Sequence, residues 1–282
     1  MKYIIFFFTL SIVIYYIVRN KLKKEIYTIV LDEYYFNNKY NNNKKIWIHI
    51  DDINVYQKLC IESIIYNCKD KYQIILFKDK DINEILNNDI DYGSISGDEL
   101  LIYRNISFLN ILHLHGGVFL PSYLYLTKSI ENIDVDKFYV SQITNQGKNI
   151  SMNNMVHSIE IMGSNKNNPI LLDYIEKYTS NCKDNYTQDC IKYGRQILKD
   201  MDIPFIDGKI IGCKDIKNNP LYLEDLMENK EIELHISNIG LYIPHYTLKT
   251  RKNYNWYCYL NRDELLNTNV YISKYILEKN II

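Results

Sequence analysis

The chain has 282 residues, a formal net charge of -1 and 24% charged residues, which is enough for one large α/β domain and lacks the basic excess that an electrostatic nucleic-acid binder needs. It contains no alanine, while Ile, Asn and Lys are abundant and Tyr occurs 27 times; this bias follows AT-rich codons and is not read as an aromatic platform for sugars or bases. Cysteines at 60, 68, 182, 190, 213 and 258 form no C-x-x-C pair and no Cys/His cluster, which argues against a structural zinc site of the finger type.

In chain order, Tyr3 to Val18 is an uncharged apolar run closed by Arg19, Lys21, Lys23 and Lys24. At about 1.5 Å per residue it spans about 24 Å, against roughly 30 Å of bilayer hydrocarbon, so it reads as a short N-terminal transmembrane helix with snorkelling basic flanks. No small-residue cleavage site follows, so an uncleaved signal-anchor is expected over residues 1–24, then a polar stem over 25–43 rich in Asn and Lys, then a single domain over 44–282. The bilayer is therefore an expected partner. The side of the membrane stays open.

Lys45 to Ile50 (KIWIHI) alternates as a first strand and delivers Asp51 and Asp52 to its carboxyl end, where α/β sheets bind ligands. Val55 to Asn67 is predicted as a helix, Tyr72 to Phe77 as a buried strand and Ile82 to Leu86 as a short helix. The apolar spacing between Leu101 and Leu112 predicts a longer helix, Gly116 and Gly117 a tight turn, and Val118 to Leu120 a strand stopped by Pro121. Further strands are expected at 137–141 and 156–161, helices at 169–178 (capped by Asn168) and 187–201, a short helix at 220–227 and a strand at 241–244. The β-α alternation predicts a parallel sheet with helices on both faces. His245 to Lys252 (HYTLKTRK) reads as a basic loop, followed by Asn255 and Trp256. His113 and His115 are two apart on a helix and point to different faces, which argues against a metal pair. Cys182 and Cys190 flank a sequon at Asn185 and are read either as a loop disulfide or as free buried thiols.

The helix, Gly-Gly turn and strand, HGGVFLPSY, resemble the core of GT-A glycosyltransferases that carry a sugar-binding region with a DXD motif, a family that includes capsular-polysaccharide and mannosyl transferases. Within it, the Pro-Ser pair is most similar to divergent transferase-like proteins of large DNA viruses. The resemblance implies a GT-A, nucleotide-diphospho-sugar transferase fold, a nucleotide-sugar donor and a glycan or protein acceptor. The family's turn reads YGGIYLDTD, and its two aspartates hold a divalent cation on the donor diphosphate. In register, Pro121, Ser122 and Tyr123 stand where Asp, Thr and Asp would be, so no metal cofactor is expected. The same register puts Asn105 and Phe108 where the family has Asp and Arg, with Asp98 and Arg104 nearby.

Donor contacts implied by the resemblance or by charge are Trp47, His49, Asp51, Arg104, Gly116, Gly117, Ser122, Tyr123, Lys249, Arg251, Lys252, Asn255 and Trp256. Arg and Lys can clamp a diphosphate without a metal. Asp98, Glu99 and His245 are the candidate bases. Two functions are consistent with these residues: a membrane-anchored transferase with a metal-free donor site, or a transferase-like fold without catalysis that binds or builds at a membrane.

Overall fold

The computed structural model describes residues 44–131, 137–146, 155–182 and 187–279. The expected anchor at Tyr3–Val18 and the whole of the expected stem, 25–43, lie outside them. Among the described residues no helix is long and apolar enough to cross a membrane.

Strand β1 (Lys45–His49) turns Ile46 and Ile48 to one face of the sheet and Trp47 and His49 to the other, as the two-residue period of a strand requires. Helix α1 (Val55–Cys68) comes next, opened by a capping box: the Asn54 side chain accepts the Gln57 N–H at 3.2 Å, and the Gln57 side chain accepts the Asn54 N–H at 3.1 Å. The chain then runs through β2 (Gln73–Phe77), α2 (Asp79–Leu86) and α3 (Gly97–His115) into β3 (Gly117–Phe119). Both β2 and β3 lie parallel to β1, on opposite sides of it. Beyond them are β4 (Leu124–Leu126), β5 (Tyr139–Thr144), β6 (Met155–Ser164), α4 (Pro169–Cys182), α5 (Gln188–Asp200) and β7 (Phe205–Ile206).

The main sheet has the order β2-β1-β3-β6-β5-β7. It is mixed, which corrects the expectation of a parallel sheet: β6 runs antiparallel to both β3 and β5. The reason is local. β5 and β6 are consecutive strands paired directly with each other, and direct pairing of neighbours in the chain gives an antiparallel ribbon. Asn168 caps α4 as expected, accepting from Ile170 and Leu171 N–H at 2.9 and 3.2 Å.

Two apolar layers sandwich the sheet. On one face Trp47, Phe77 and Phe119 pack with Leu109 and Leu112 of α3 and Tyr174 and Tyr178 of α4. On the other, Ile46, Ile48, Leu76 and Val118 pack with Ile61 and Ile64 of α1. Beyond α1 lies a third layer made by the C-terminal part: α6 (Leu223–Met227), β8 (Gly240–Tyr242), α7 (His245–Thr250), a 3-10 turn at Asn255–Tyr259, α8 (Arg262–Asn267) and α9 (Tyr271–Glu278). Helix α1 is thus covered on two sides, which accounts for nine buried positions in its 14 residues. β8 pairs antiparallel with β4 and fastens this layer to the chain leaving β3.

The expected basic loop at 245–252 is instead largely helical. Leu248 is fully buried, and its N–H reaches Pro244 O at 2.9 Å, so burial of one apolar side chain just after a proline winds the segment into α7.

The double-glycine turn between α3 and β3 is as the sequence requires. Gly116 has φ +66° and Gly117 φ +110°, and a Cβ on Gly117 would stand 2.6 Å from Lys45 O. The Trp47 indole N–H donates to Gly116 O at 2.9 Å and holds the turn from below. Gly117→Ala combines forced φ with a backbone clash, and should lower unfolding free energy by roughly 2 kcal/mol or more. Trp47→Phe, which removes only the donor and some ring area, should cost about 1–3 kcal/mol. Urea midpoints of the two variants against the parent check both.

Candidate functional site

The chain leaves β1 toward β2 over one face of the sheet and returns from β2 to β3 over the other, with α1 and α3 on opposite faces. The order therefore reverses between β1 and β3, and their carboxyl ends flank the crevice where open α/β sheets take ligands. Polar side chains gather on both sides of it.

On the α3 side stand His49, Asp51, Asp79 and Arg104. His49 Nε2 lies 2.9 Å from Asp79 Oδ1 and 3.2 Å from Asp51 Oδ2, and its ring packs on Phe77 and Phe108 at centroid distances of 5.4 and 5.1 Å. Arg104 grips Asp79 with two nitrogens, Nε at 2.9 Å from Oδ1 and Nη2 on Oδ2. Asp51 Oδ2 also accepts the Asp79 N–H at 2.6 Å. Burial pushes the Asp79 carboxyl up, but His49 and Arg104 beside it outweigh this and hold it far below the usual carboxylate range. For His49, burial lowers the pKa, and the hydrogen bonds with Asp51 and Asp79 more than reverse that.

On the α1 side is the loop after β3. Pro121 to Leu124 forms a turn closed by Leu124 N–H to Pro121 O at 3.2 Å. Ser122 is only 6% exposed, and its Oγ accepts from Gln57 Nε2 at 2.8 Å. The Tyr123 and Tyr242 hydroxyls both donate to Glu160 Oε2, at 2.8 and 2.5 Å. Burial, with Glu160 adding to it, raises both phenol pKa values well above the ordinary one, so they act as neutral donors. Tyr123 stacks on His245 at 5.5 Å and 18°, and His245 Nδ1 is hydrogen-bonded to Tyr56 Oη.

The structure thus brings His49, Asp51 and Arg104 together on one side of the crevice, and Ser122, Tyr123 and His245 on the other. Trp47 is buried beneath the glycine turn, and Gly116 and Gly117 build that turn. Asp98 and Glu99 sit in the first turn of α3, more than a helical turn before Arg104. Arg251 is committed elsewhere, ion-paired with Glu224 and donating to Gln146 O at 3.1 Å. Lys249 and Lys252 are exposed. Asn255 begins the 3-10 turn, and the Trp256 indole donates to Asn253 O at 3.0 Å. Sequence reasoning misses Asp79, Tyr56, Gln57, Glu160 and Tyr242. For Asp79 a signal exists, an acid two residues after a buried strand (LFKD).

The divalent cation that the family resemblance implies does not fit the β3 loop. Proline has no side-chain ligand, Ser122 Oγ is already engaged by Gln57, and Tyr123 is a neutral phenol held by Glu160. Among the described residues, the grouping of His and carboxylate atoms within 4.8 Å is His49, Asp51 and Asp79.

No family model matches the chain, and no curated protein matches it. A solved structure described as "PaToxG Glycosyltransferase" is similar at 16% identity, with a TM-score of 0.35, over 56% of this chain and 69% of that one. So distant a likeness does not bear on the site, whose chemistry is set by the residues themselves.

Burial, and to a smaller extent Lys249, lowers the His245 pKa from 6.5 to about 4. The unfolded chain therefore takes up a proton at His245 at a pH where the folded chain does not, and the stability this represents is present above pH 6.5 and lost as pH falls toward 4. The loss is at most about 3 kcal/mol. Denaturant titrations from pH 7.5 to 4 should show a smaller fall in stability for His245→Gln than for the parent.

Proposed function

We propose that this chain is a glycosyltransferase-like protein whose β3 loop does not hold a catalytic cation, and that it serves as a binding or structural protein at a membrane rather than as a catalyst of sugar transfer. The reading is carried by the internal bonding of the loop: Gln57 satisfies Ser122, and Glu160 satisfies Tyr123 and Tyr242 together. A leaving diphosphate needs positive charge where the bond breaks, and neutral hydroxyls turned toward a carboxylate supply none. The cationic clamp that metal-free transfer would need is not gathered there either, since Arg104 is bound to Asp79 and Arg251 to Glu224. Attachment to a bilayer through Tyr3–Val18 belongs to the same proposal and rests on the sequence.

A second reading, metal-free sugar transfer, is favoured by one observation. With its pKa lowered to about 4, His245 is a neutral imidazole at physiological pH, stacked on Tyr123 beside the crevice, and so has the protonation state of a general base.

The full-length protein is expected to give no manganese-stimulated hydrolysis of UDP- or GDP-sugars. Robust turnover abolished by chelation would overturn the proposal. Calorimetry with the same donors separates the two readings: metal-free transfer requires donor binding that weakens at least tenfold when Lys249 and Lys252 are both changed to Ala, and absence of binding by the parent leaves the non-catalytic reading.

A further inference from the structure

We infer that His49, Asp51 and Asp79 form a binding site for one divalent transition-metal ion of the zinc class, at the carboxyl ends of β1 and β2 and separate from the β3 loop. The inference begins with donor type. An imidazole nitrogen with two carboxylate oxygens is a set that zinc and its neighbours accept, and one that magnesium or calcium, preferring oxygen alone, does not favour.

Spacing supports it next. Zinc bonds of about 2.0–2.1 Å at tetrahedral angles place neighbouring donor atoms about 3.3 Å apart. His49 Nε2 is 2.9 Å from Asp79 Oδ1 and 3.2 Å from Asp51 Oδ2, and one donor atom from each of the three side chains lies within 4.8 Å of the other two, so a modest adjustment of the side chains admits the ion. With three protein ligands, the fourth position is left for water or an anionic ligand. The three side chains are 14%, 23% and 18% exposed, so solvent and an ion reach them.

Each ligand is also held from behind. Phe77 and Phe108 fix the plane of the His49 ring. The Asp79 N–H fixes Asp51 at 2.6 Å, and Arg104 holds Asp79 through Nε and Nη2. Orientation of ligands by such outer partners is what metal sites require. A carboxylate has about four acceptor positions, so Asp79 can keep Arg104 and still face the ion. Two carboxylates opposite one guanidinium leave a net negative charge on the cluster when the imidazole is neutral, as a metal ligand must be.

The test is zinc binding by the full-length protein, read by competition with a chromophoric chelator, together with the visible spectrum of the cobalt-substituted protein. One ion per chain is expected, with at least tenfold weaker binding in both His49→Gln and Asp51→Asn. Circular dichroism confirms that the variants fold; Asp51→Asn keeps an oxygen for the Asp79 N–H and serves if His49→Gln does not fold. His157→Ala should bind as the parent does. The inference is overturned if the parent binds no zinc, if both variants bind it as tightly as the parent, or if cobalt shows the intense near-ultraviolet band of sulfur ligation, which would place the ion on cysteine. None of these readouts depends on whether sugar is bound or transferred.

Discussion

The architecture depends on the close approach of backbone at Gly117 to Lys45. There is no room for a side chain between them, and the Trp47 indole secures the carbonyl of the preceding glycine. That contact sets β3 against β1 in the register Ile46 to Val118 and Trp47 to Phe119. With the strand so placed, α3 must lie on one face of the sheet and α1 on the other, and the chain beyond Leu120 must emerge at the crevice. The positions of Ser122 and Tyr123 are therefore set by a steric constraint at the opposite end of a three-residue strand.

The two polar groups flanking the crevice have different electrostatic characters. The one beneath α3 is built of full charges and is held by Coulomb attraction, strengthened by partial burial. The other, beneath α1, centres on a single carboxylate, Glu160, surrounded by neutral phenols and an imidazole that burial keeps uncharged. Charging the second means placing a cation among buried aromatic rings, which low polarity opposes.

Much of the framework is legible in the sequence because its signals are local. The apolar spacing of 101–112, the paired glycines and the Asn-Pro helix start each report their own structure, which yields α3, its turn, β3 and α4. Of the C-terminal helices, α6 is legible from the Pro-led segment 220–227, and the others are not. α7 and α8 have six residues each, too short to be stable alone, and they exist because Leu248 and Leu265 are buried against α1 and its neighbours. Alternation of strand and helix signals suggests a wholly parallel sheet because it does not show that β5 and β6 pair directly. Half of the site is legible in the right region: His49 and Asp51 from the strand end, Ser122 and Tyr123 from the family register. Glu160 is not, and Asp79 shows only as an acid following a buried strand, since each acquires its side-chain partners across 25 residues or more of chain. Arg251 shows the converse. Its charge is visible in the sequence, and its attachment to Glu224 is not.

Helix α1 is a shared wall. One side supports the sheet and the other receives the C-terminal helices, while its first turn carries Tyr56 and Gln57 into the crevice. The C-terminal third is accordingly no appendage. Removing it would strip Leu59 and Cys60 of cover and take away His245 in the same stroke, so the described part of the chain should melt as a single cooperative unit, and anything that tightens the crevice will be felt as rigidity at Tyr257 and Ile272, on the far side of the helix.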